Sequence, residues 1–242
     1  MRKLLTALAF LLFAFVAPAH AVPCETITYR DTDYVVCTVD VRRFELKLFS
    51  TDRSGTPYGS FRRLAGEAEG ADLVFAMNAG MFDEDLLPVG LHVENGRELK
   101  RANTASGPGN FHLKPNGVFY VKGTSVGILE TGRFQRQRIR PDQATQSGPM
   151  LVIDGRLHPR ISADGTSRKV RNGVGIRNGH TAVFAISNAP VTFFDSAQLF
   201  RERLACANAL FLDGSVSSLH APALNRSDWL RPLGPIVGAK PR

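Results

Sequence analysis

Apolar and polar residues alternate over short stretches through most of the chain, and this period of two is typical of β-strands. Several stretches end in residue pairs that form tight turns, such as Asn95-Gly96 and Asp154-Gly155, so neighbouring strands are expected to pair as hairpins. The pattern predicts strands at residues 34–41, 44–49, 73–77, 91–93, 118–121, 126–129, 150–153, 173–176, 181–186 and 210–212.

Helical periodicity occurs in only two segments. Residues 58–69 repeat apolar side chains at helical spacing, and residues 196–204 follow Asp195, which we expect to cap the helix with Gln198 completing a capping box. Many short strands with few helices predict an α+β fold, in which mixed β-sheets of short strands and hairpins are covered by a few helices. Because strands and helices do not alternate regularly, the pattern argues against a doubly wound sheet or a TIM barrel.

The first residues predict export. Basic residues precede an apolar stretch at 4–16, and Ala19-His20-Ala21 then supplies the small residues of a cleavage site, as in a secretory signal peptide. The apolar stretch is shorter than the roughly 20 residues of a membrane-spanning helix, which disfavours an uncleaved anchor. We therefore expect a signal peptide at 1–21 and a single domain at 22–242, without stable membrane insertion after cleavage, in the periplasm or secreted.

The charge of the chain limits the kinds of partner it can have. The chain has 30 Lys+Arg against 22 Asp+Glu, a net charge of +8, and the basic residues are spread along it. The densest basic segment, 133–140, offers no aromatic stacking platform, so we expect no nucleic-acid partner.

Cys24 and Cys37 flank a predicted turn between two strands, and in an oxidising compartment we expect them to form a disulfide. Cys206 ends an apolar helical pattern, where a buried thiol fits.

Four segments rich in Gly and small polar residues follow or open the apolar strands and carry the candidate chemistry. Loops of this kind bring the backbone close to a ligand. They are 75–83 with Asn78, 146–151 with Ser147 and Gly148, 171–176 with Arg171, and 210–218 with Asp213. A tight turn, or the start of a strand, whose backbone groups are hydrogen-bonded within the segment would explain each of them without a ligand. Arg171 could likewise be a surface charge beside other basic residues.

Asp213 is the strongest single candidate for catalysis. It is a carboxylate at the end of a buried strand, followed by Gly214 and by serines. A charge in such a place needs a partner, a metal or a reaction, because burying it is costly. A cap on a following turn or a buried ion pair would explain the same residue without catalysis.

The acidic run Asp83-Glu84-Asp85 is the candidate metal site. Asp83 and Asp85 supply hard oxygen ligands suited to calcium or magnesium. A solvated acidic loop explains the same residues, so the sequence firmly implies no cofactor. Gly123-Thr124-Ser125-Val126-Gly127 matches a nucleophile elbow, but strand-like residues follow where the elbow needs a helix, so we interpret it as a hairpin turn.

In this order, the four segments resemble the recurring motifs of the phosphodiester glycosidase family. The matching stretches are Asn78-Ala79-Gly80-Met81-Phe82, Gly148-Pro149-Met150-Leu151, Arg171 through Gly175, and Leu212-Asp213-Gly214 with Ser217 and Ser218. The resemblance covers residues 39–237. It departs from the family at Ala79 and Ser215, where glycine is frequent, and Ser215 bears on the shape of the pocket and so on the identity of the sugar.

The resemblance implies an exported hydrolase that cleaves the sugar–phosphate bond of a sugar-1-phosphodiester, either a small molecule or an envelope glycopolymer. It makes Asp213, Arg171 and Asn78 the catalytic candidates. The carboxylate of Asp213 would assist attack at the sugar carbon, Arg171 would stabilise the leaving phosphate, and Asn78 would position the substrate. The candidates for substrate contact are Gly80, Phe82, Ser147, Gly148, Gly214 and Ser217.

Two other functions fit the same residues. A non-catalytic envelope protein with this fold would bind carbohydrate or phosphate through Arg171 and Asn78, and its Asp213 would cap a turn without facing the pocket. Aromatic platforms would favour such a protein, but the chain has a single tryptophan, Trp229. A metal-dependent phosphodiesterase needs a cluster of metal ligands that the sequence does not show.

Overall fold

The computed structural model describes residues 24–242, so the predicted signal peptide lies outside the described residues. The strands are β1 (Cys24–Tyr29), β2 (Thr32–Asp40), β3 (Phe44–Phe49), β4 (Phe75–Asn78), β5 (His92–Glu94), β6 (Arg97–Lys100), β7 (Gly117–Lys122), β8 (Ser125–Glu130), β9 (Gln143–Ser147), β10 (Met150–Ile153), β11 (Arg156–Leu157), β12 (Asn172–Asn178), β13 (Thr181–Ser187), β14 (Asn208–Phe211), β15 (Leu219–Ala221), β16 (Arg226–Ser227) and β17 (Ile236–Pro241). The helices are α1 (Phe61–Ala65), α2 (Thr131–Gln137) and α3 (Phe193–Gln198), and a π-helical turn (Leu199–Arg203) continues α3. Within residues 24–242, no helix has the length and apolar character needed to cross a membrane.

The strands form three sheets. The first has the order β1-β2-β13-β12-β14-β10-β11, the second β16-β15-β4-β17-β3, and the third β6-β5-β9-β7-β8. This arrangement with few helices confirms the α+β class. Every pairing among the described strands is antiparallel, so the prediction of mixed sheets was wrong. Hairpins join antiparallel neighbours directly, whereas parallel neighbours need long crossover connections.

The predicted hairpins are confirmed. Asn95 (φ 50°) and Gly96 (φ 78°) connect β5 to β6, and both have the left-handed backbone that tight hairpin turns require. Gly123 (φ 57°) turns β7 into β8, so the elbow-like motif there is a hairpin turn as interpreted. The hairpin of β12 and β13 also forms, with Val174 opposite Phe184.

The helices differ from the prediction at their ends. Helix α3 begins at Phe193 with Thr192 as its cap, because the Thr192 hydroxyl accepts from the Asp195 N–H while the Asp195 carboxylate accepts from the Thr192 N–H. The prediction that Asp195 caps this helix was therefore wrong by three positions. Helix α1 covers only Phe61–Ala65, between the Ser60 cap and Gly66, and α2 was not predicted.

One aromatic cluster joins the three sheets. Phe184 on β13 of the first sheet lies 4.9 Å, between ring centroids, from Phe75 on β4 of the second. It lies 5.9 Å from Phe119 on β7 of the third. All three rings are fully buried, so the main core forms where the sheets meet. The other face of the first sheet is covered by α3 and its π-helical turn, through residues such as Phe200.

The predicted disulfide between Cys24 and Cys37 is present, and it joins directly opposite positions of β1 and β2. Cys206 is free and buried, as expected, and burial raises the pKa of its thiol to about 12.

Candidate active site

The four segments identified in the sequence meet where β14 ends. The backbone N–H groups of residues 211–213 each donate a hydrogen bond to a carbonyl oxygen of a different one of the other three segments. These contacts are Phe211 N–H to Pro149 O at 3.0 Å, Leu212 N–H to Asn172 O at 3.3 Å, and Asp213 N–H to Ala79 O at 3.3 Å. The segments are therefore assembled around Asp213 by the backbone itself, although they are far apart along the chain.

Asn78 is the buried centre of this assembly. Its side-chain Nδ2 donates to the carbonyl oxygen of Asp213 at 2.8 Å. Its Oδ1 accepts from Asn172 Nδ2 at 2.8 Å and from the Ser218 N–H at 2.9 Å. Both acceptor positions and one of the two amide hydrogens are thus used within the protein, and the residue is only 1% exposed. We expected Asn78 to position the substrate, and the structure places it where it holds the backbone of Asp213.

Ser217 joins the same network from the exposed side. Its hydroxyl lies 3.2 Å from the Val170 carbonyl oxygen and 3.3 Å from Asn172 Oδ1. A hydroxyl has one hydrogen to share between these acceptors, so the lone pairs of Ser217 Oγ remain available to accept from a ligand.

Asp213 caps a short turn and also retains the features of a reactive carboxylate. Its Oδ1 accepts from the Ser215 N–H at 3.0 Å, at the start of the 3₁₀ turn Gly214–Val216. Among residues 24–242, only Ser215 donates a hydrogen bond to this carboxylate. Burial raises the pKa of Asp213, and the hydrogen bonds from Ser215 partly offset that rise. Carboxylates with a raised pKa in a cleft are typical of catalytic acids and bases.

Arg171 is a buried cation, not the surface charge of the alternative interpretation. It is 4% exposed, and its guanidinium carbon lies 3.6 Å from the ring centroid of Phe193 and 5.5 Å from that of Phe211. Its Nε donates to Val191 O at 3.0 Å and its Nη2 to Ser167 O at 2.9 Å. These partners are neutral oxygens, so no carboxylate in the described chain compensates the charge, and burial lowers the pKa of Arg171 to about 10.

Arg171 and Asp213 lie just beyond the ends of the neighbouring strands β12 and β14 and form no ion pair. Strands β12 and β14 pair Gly173 with Phe211, and the Leu212–Asn172 hydrogen bond extends this register by one position. One further step puts Arg171 opposite Asp213. The guanidinium instead reaches towards Val191 and Ser167 while the carboxylate turns to Ser215, so the two opposite charges are held apart.

Three predicted substrate contacts, Gly80, Ser147 and Gly148, are packed inside the protein, and a fourth, Phe82, is half-buried. A Cβ on Gly80 would lie 2.5 Å from the Gln146 carbonyl oxygen, and one on Gly148 would lie 2.6 Å from Asn116 Cβ, so both glycines allow close packing of segments. Ser147 is 0% exposed, and its hydroxyl has no hydrogen-bond partner. Phe82 packs its ring against Gly234. These four residues are not among those that line the cavity described next.

The other two predicted contacts, Gly214 and Ser217, line a cavity of about 710 Å³. Polar side chains of Asn188, Arg226 and Asp228 form other parts of its wall. Trp229 and Leu230 form its rim and are 82% and 79% exposed. A concave surface with several convergent polar groups and an apolar edge is typical of small-molecule sites.

The acidic run 83–85 forms an exposed loop. The Asp83 carboxylate accepts from the backbone N–H groups of Asp85 at 3.1 Å and Leu87 at 2.9 Å, so it is used to hold its own turn. Within residues 24–242, no three His, Cys, Asp or Glu side chains are grouped closely enough to hold a metal ion.

Sequence reasoning missed three contributors to the site. Asn172 bonds to Asn78, Phe193 stacks on Arg171, and Trp229 forms the rim of the cavity. Asn172 stands beside Arg171 in a segment already singled out, and its amide type was a usable signal. Phe193 carries no local signal, because its role depends on how α3 folds back on the first sheet.

Comparison with known proteins identifies similar chains. The profile of a family described as NAGPA, phosphodiester glycosidase, matches residues 71–238. YigE, an uncharacterized protein of Escherichia coli (strain K12), is 36% identical over 222 residues, which cover 91% of this chain and 85% of YigE. The zebrafish N-acetylglucosamine-1-phosphodiester alpha-N-acetylglucosaminidase catalytic domain, auto-inhibited by its pro-peptide, superposes with a TM-score of 0.64 at 14% identity, covering 90% of this chain and 82% of that one. A candidate exported protein of Burkholderia pseudomallei K96243 superposes with a TM-score of 0.54 at 11% identity, over 87% of this chain and 74% of that one.

Proposed function

Because this chain belongs to the phosphodiester glycosidase family, we propose that it hydrolyses the sugar–phosphate bond of a sugar-1-phosphodiester. The observation that carries the proposal is the position of Asp213. All four motif segments are assembled around this half-buried carboxylate, whose pKa is raised, and the residues that follow it line the cavity.

The chemistry of the bond fits a single well-placed carboxylate. The leaving group is a phosphate monoester, a weakly basic anion that needs little help from a proton donor. The sugar carbon acquires oxocarbenium character in the transition state. An adjacent carboxylate either stabilises this positive charge or acts as a general base that activates the attacking water. Asp213 is the residue we assign to this role.

Arg171 is our candidate for stabilising the phosphate. A guanidinium binds phosphate oxygens in a forked geometry, and a cation acts most strongly where water is excluded. Arg171 is buried without a carboxylate partner, so its charge is not neutralised within the described chain, and the residue before it, Val170, lines the cavity. Its bonds to Val191 and Ser167 fix its orientation.

We propose that this reaction takes place outside the cytoplasm, in the periplasm or after secretion. The disulfide between Cys24 and Cys37 supports this location, because such bonds persist in oxidising compartments. Sequencing the N-terminus of protein recovered after export tests it. A mature chain that begins at Val22 is expected, and a chain that retains Met1 contradicts cleavage near Ala21.

The test of function is release of free sugar from a panel of sugar-1-phosphodiesters by the exported protein. Asp213→Asn is the decisive variant, because asparagine also caps a turn and preserves the fold while it removes the charge. We expect it to lower the rate by roughly 10²–10⁴-fold. Asp154→Asn is the matched control: its side chain is 60% exposed and pairs with Arg133 on helix α2, so the rate should not change.

A variant of Arg171 tests the second assignment. Arg171→Lys keeps the positive charge but loses the fork and the stacking on Phe193, so we expect at least a tenfold loss of rate. Full activity in either Asp213→Asn or Arg171→Lys would remove that residue from the mechanism.

A non-catalytic binding protein is the second candidate, because Asp213 does cap a turn and is not itself among the residues that line the cavity. This protein would bind a sugar phosphodiester or an envelope glycopolymer without releasing sugar. It is favoured if the wild type is inactive on the whole panel and Asp213→Asn binds one member as tightly as wild type does.

A further inference from the structure

Two large apolar side chains stand exposed next to each other on the rim of the cavity. Trp229 and Leu230 are 82% and 79% exposed, and the only other large apolar residue exposed within residues 24–242 is Leu87 at 37%. Proteins seldom leave such side chains in water, and when they cluster at the edge of a concave surface they mark a ligand contact.

The rim is anchored at both ends. On one side, the Asp228 N–H donates to Leu219 O at 2.9 Å while the Leu219 N–H donates to Asp228 Oδ2 at 2.9 Å. On the other side, the buried Leu233 donates its N–H to Gly59 O at 2.9 Å. Residues 229–232 are therefore a short exposed span whose backbone is tied down on both sides, which keeps Trp229 at the edge of the cavity.

Other residues that line the cavity are polar. Ser215 and Ser217 contribute hydroxyls, and Asn188 contributes an amide whose oxygen accepts from Arg226 at 2.8 Å. Such groups donate and accept hydrogen bonds at once, as sugar hydroxyls require. An acyl chain in the same place would leave them desolvated and unpaired, which is costly.

We propose that Trp229 is a stacking platform for the sugar ring of the substrate, with the sugar hydroxyls directed to Ser215, Ser217 and Asn188. This inference rests on the proposed glycosidase function and adds to it the place of the sugar. A pyranose has a C–H face that packs on an aromatic ring and an edge of hydroxyls that needs polar partners, and the lining of the cavity includes both kinds of group.

The cavity has the capacity for this ligand. Its volume of about 710 Å³ falls within the roughly 300–1,000 Å³ of small-molecule sites. Ser217 and Ser218 of the cavity wall bond into the Asn78 network that holds the Asp213 backbone, and Gly214, which follows Asp213, also lines the cavity, so a sugar there would lie next to the segment that carries the proposed catalytic carboxylate.

The fluorescence of Trp229 tests the platform directly, because it is the only tryptophan in the chain. Asp213→Asn protein is titrated with an intact sugar-1-phosphodiester that the wild type cleaves, or with the free sugar. A saturable change in emission intensity with a blue shift is expected as the sugar covers the indole. Unchanged emission at concentrations that saturate the wild-type rate overturns the proposal while the glycosidase function stands.

Kinetics of three variants complete the test. Trp229→Phe keeps a ring and should stay within a few-fold of wild type, whereas Trp229→Ala should raise KM by roughly tenfold with a smaller effect on kcat. Leu87→Ala, an exposed leucine outside the cavity, is the control and should not change either constant. Leu230→Ala should cost less than Trp229→Ala, and an equal cost overturns stacking in favour of an apolar group of the substrate.

Two further outcomes distinguish the stacking platform from the proposed glycosidase function and from contact with a second copy of the chain. An emission change with free sugar in a wild type that releases none supports the platform and refutes the glycosidase. A blue shift that follows protein concentration alone, together with dimers in sedimentation, shows that a second copy of the chain covers the rim, and this overturns the proposal.

Discussion

Replacing Asn78 by aspartate exchanges the side-chain NH₂ group for an oxygen at the point where the four motif segments meet. The amide that donates to the Asp213 carbonyl oxygen at 2.8 Å becomes an oxygen, while the other oxygen can still accept from Asn172 and Ser218. When ionised, the introduced carboxyl places a negative charge at a position that is 1% exposed and directly against a carbonyl oxygen.

The cost follows from the pKa of the introduced carboxyl. Burial of this degree raises the pKa of a carboxyl by about three units or more, and each unit corresponds to about 1.36 kcal/mol. We therefore expect Asn78→Asp to lower the free energy of unfolding by about 4 kcal/mol at pH 7. Because the folded pKa exceeds the unfolded value of about 3.9, the loss grows as pH rises above that value. Near pH 4 the protonated group can donate to the Asp213 carbonyl oxygen, and the loss should fall below about 1 kcal/mol.

Urea unfolding at pH 4 and pH 7, with the disulfide intact, measures both quantities relative to wild type. Asn178→Asp is the matched control, because Asn178 is exposed and uses its Oδ1 to accept from the His180 N–H, which aspartate also does. This control should change stability by less than about 0.5 kcal/mol at either pH. A loss below about 1 kcal/mol for Asn78→Asp at pH 7, or an equal loss at both pH values, would refute the network drawn around Asn78.

Three other predictions follow from the same contacts. Reducing the disulfide between Cys24 and Cys37, which are separated by 13 residues, should cost about 3 kcal/mol in denaturant unfolding, and an unchanged midpoint would contradict it. Gly80→Ala should cost about 1–3 kcal/mol because its Cβ meets backbone, whereas Gly179→Ala, with nothing within 4 Å, should be neutral; equal costs would show that the segments can separate. If ionised Asp213 is required, kcat/KM should fall with decreasing pH through a pKa above the usual Asp value, and this limb should vanish in Asp213→Asn.

The hairpins and the glycine-rich segments of the site were predictable because each has a local signal. Asn95-Gly96 supplies the left-handed residues that a two-residue turn needs, and the motif segments each contain glycine beside a strand end. Helix α2 was missed because its cap is Glu130, whose carboxylate accepts from the N–H groups of Gly132 and Arg133, and glutamate is not a usual capping residue. The α3 error arose because Thr192 and Asp195 are both capping types, and only the fold shows which begins the helix.

The roles of the site residues could not be read from the sequence for a different reason. Asn78 was expected at the substrate, but an amide can satisfy protein or ligand equally well, and its three partners come from two segments about 94 and 140 residues away. Arg171 could not be told from a surface charge until Phe193, on a distant helix, was seen to stack on it. The types of residue at the site were therefore predictable, whereas their partners depend on long-range packing.

The pairing of β2 with β13 and of β3 with β17 also bears on how the chain can be divided. Val36 lies opposite Ala185 and Leu46 opposite Ala239, so residues before position 71 complete two of the three sheets. The segment that carries the family motifs, 71–238, would leave open strand edges if it were produced alone, and such edges promote aggregation. Pairing across so many residues also makes folding slow, because long loops must close before contacts form. We therefore expect that the region that identifies the family does not fold on its own, and that fragments intended for biochemistry need the strands that precede it.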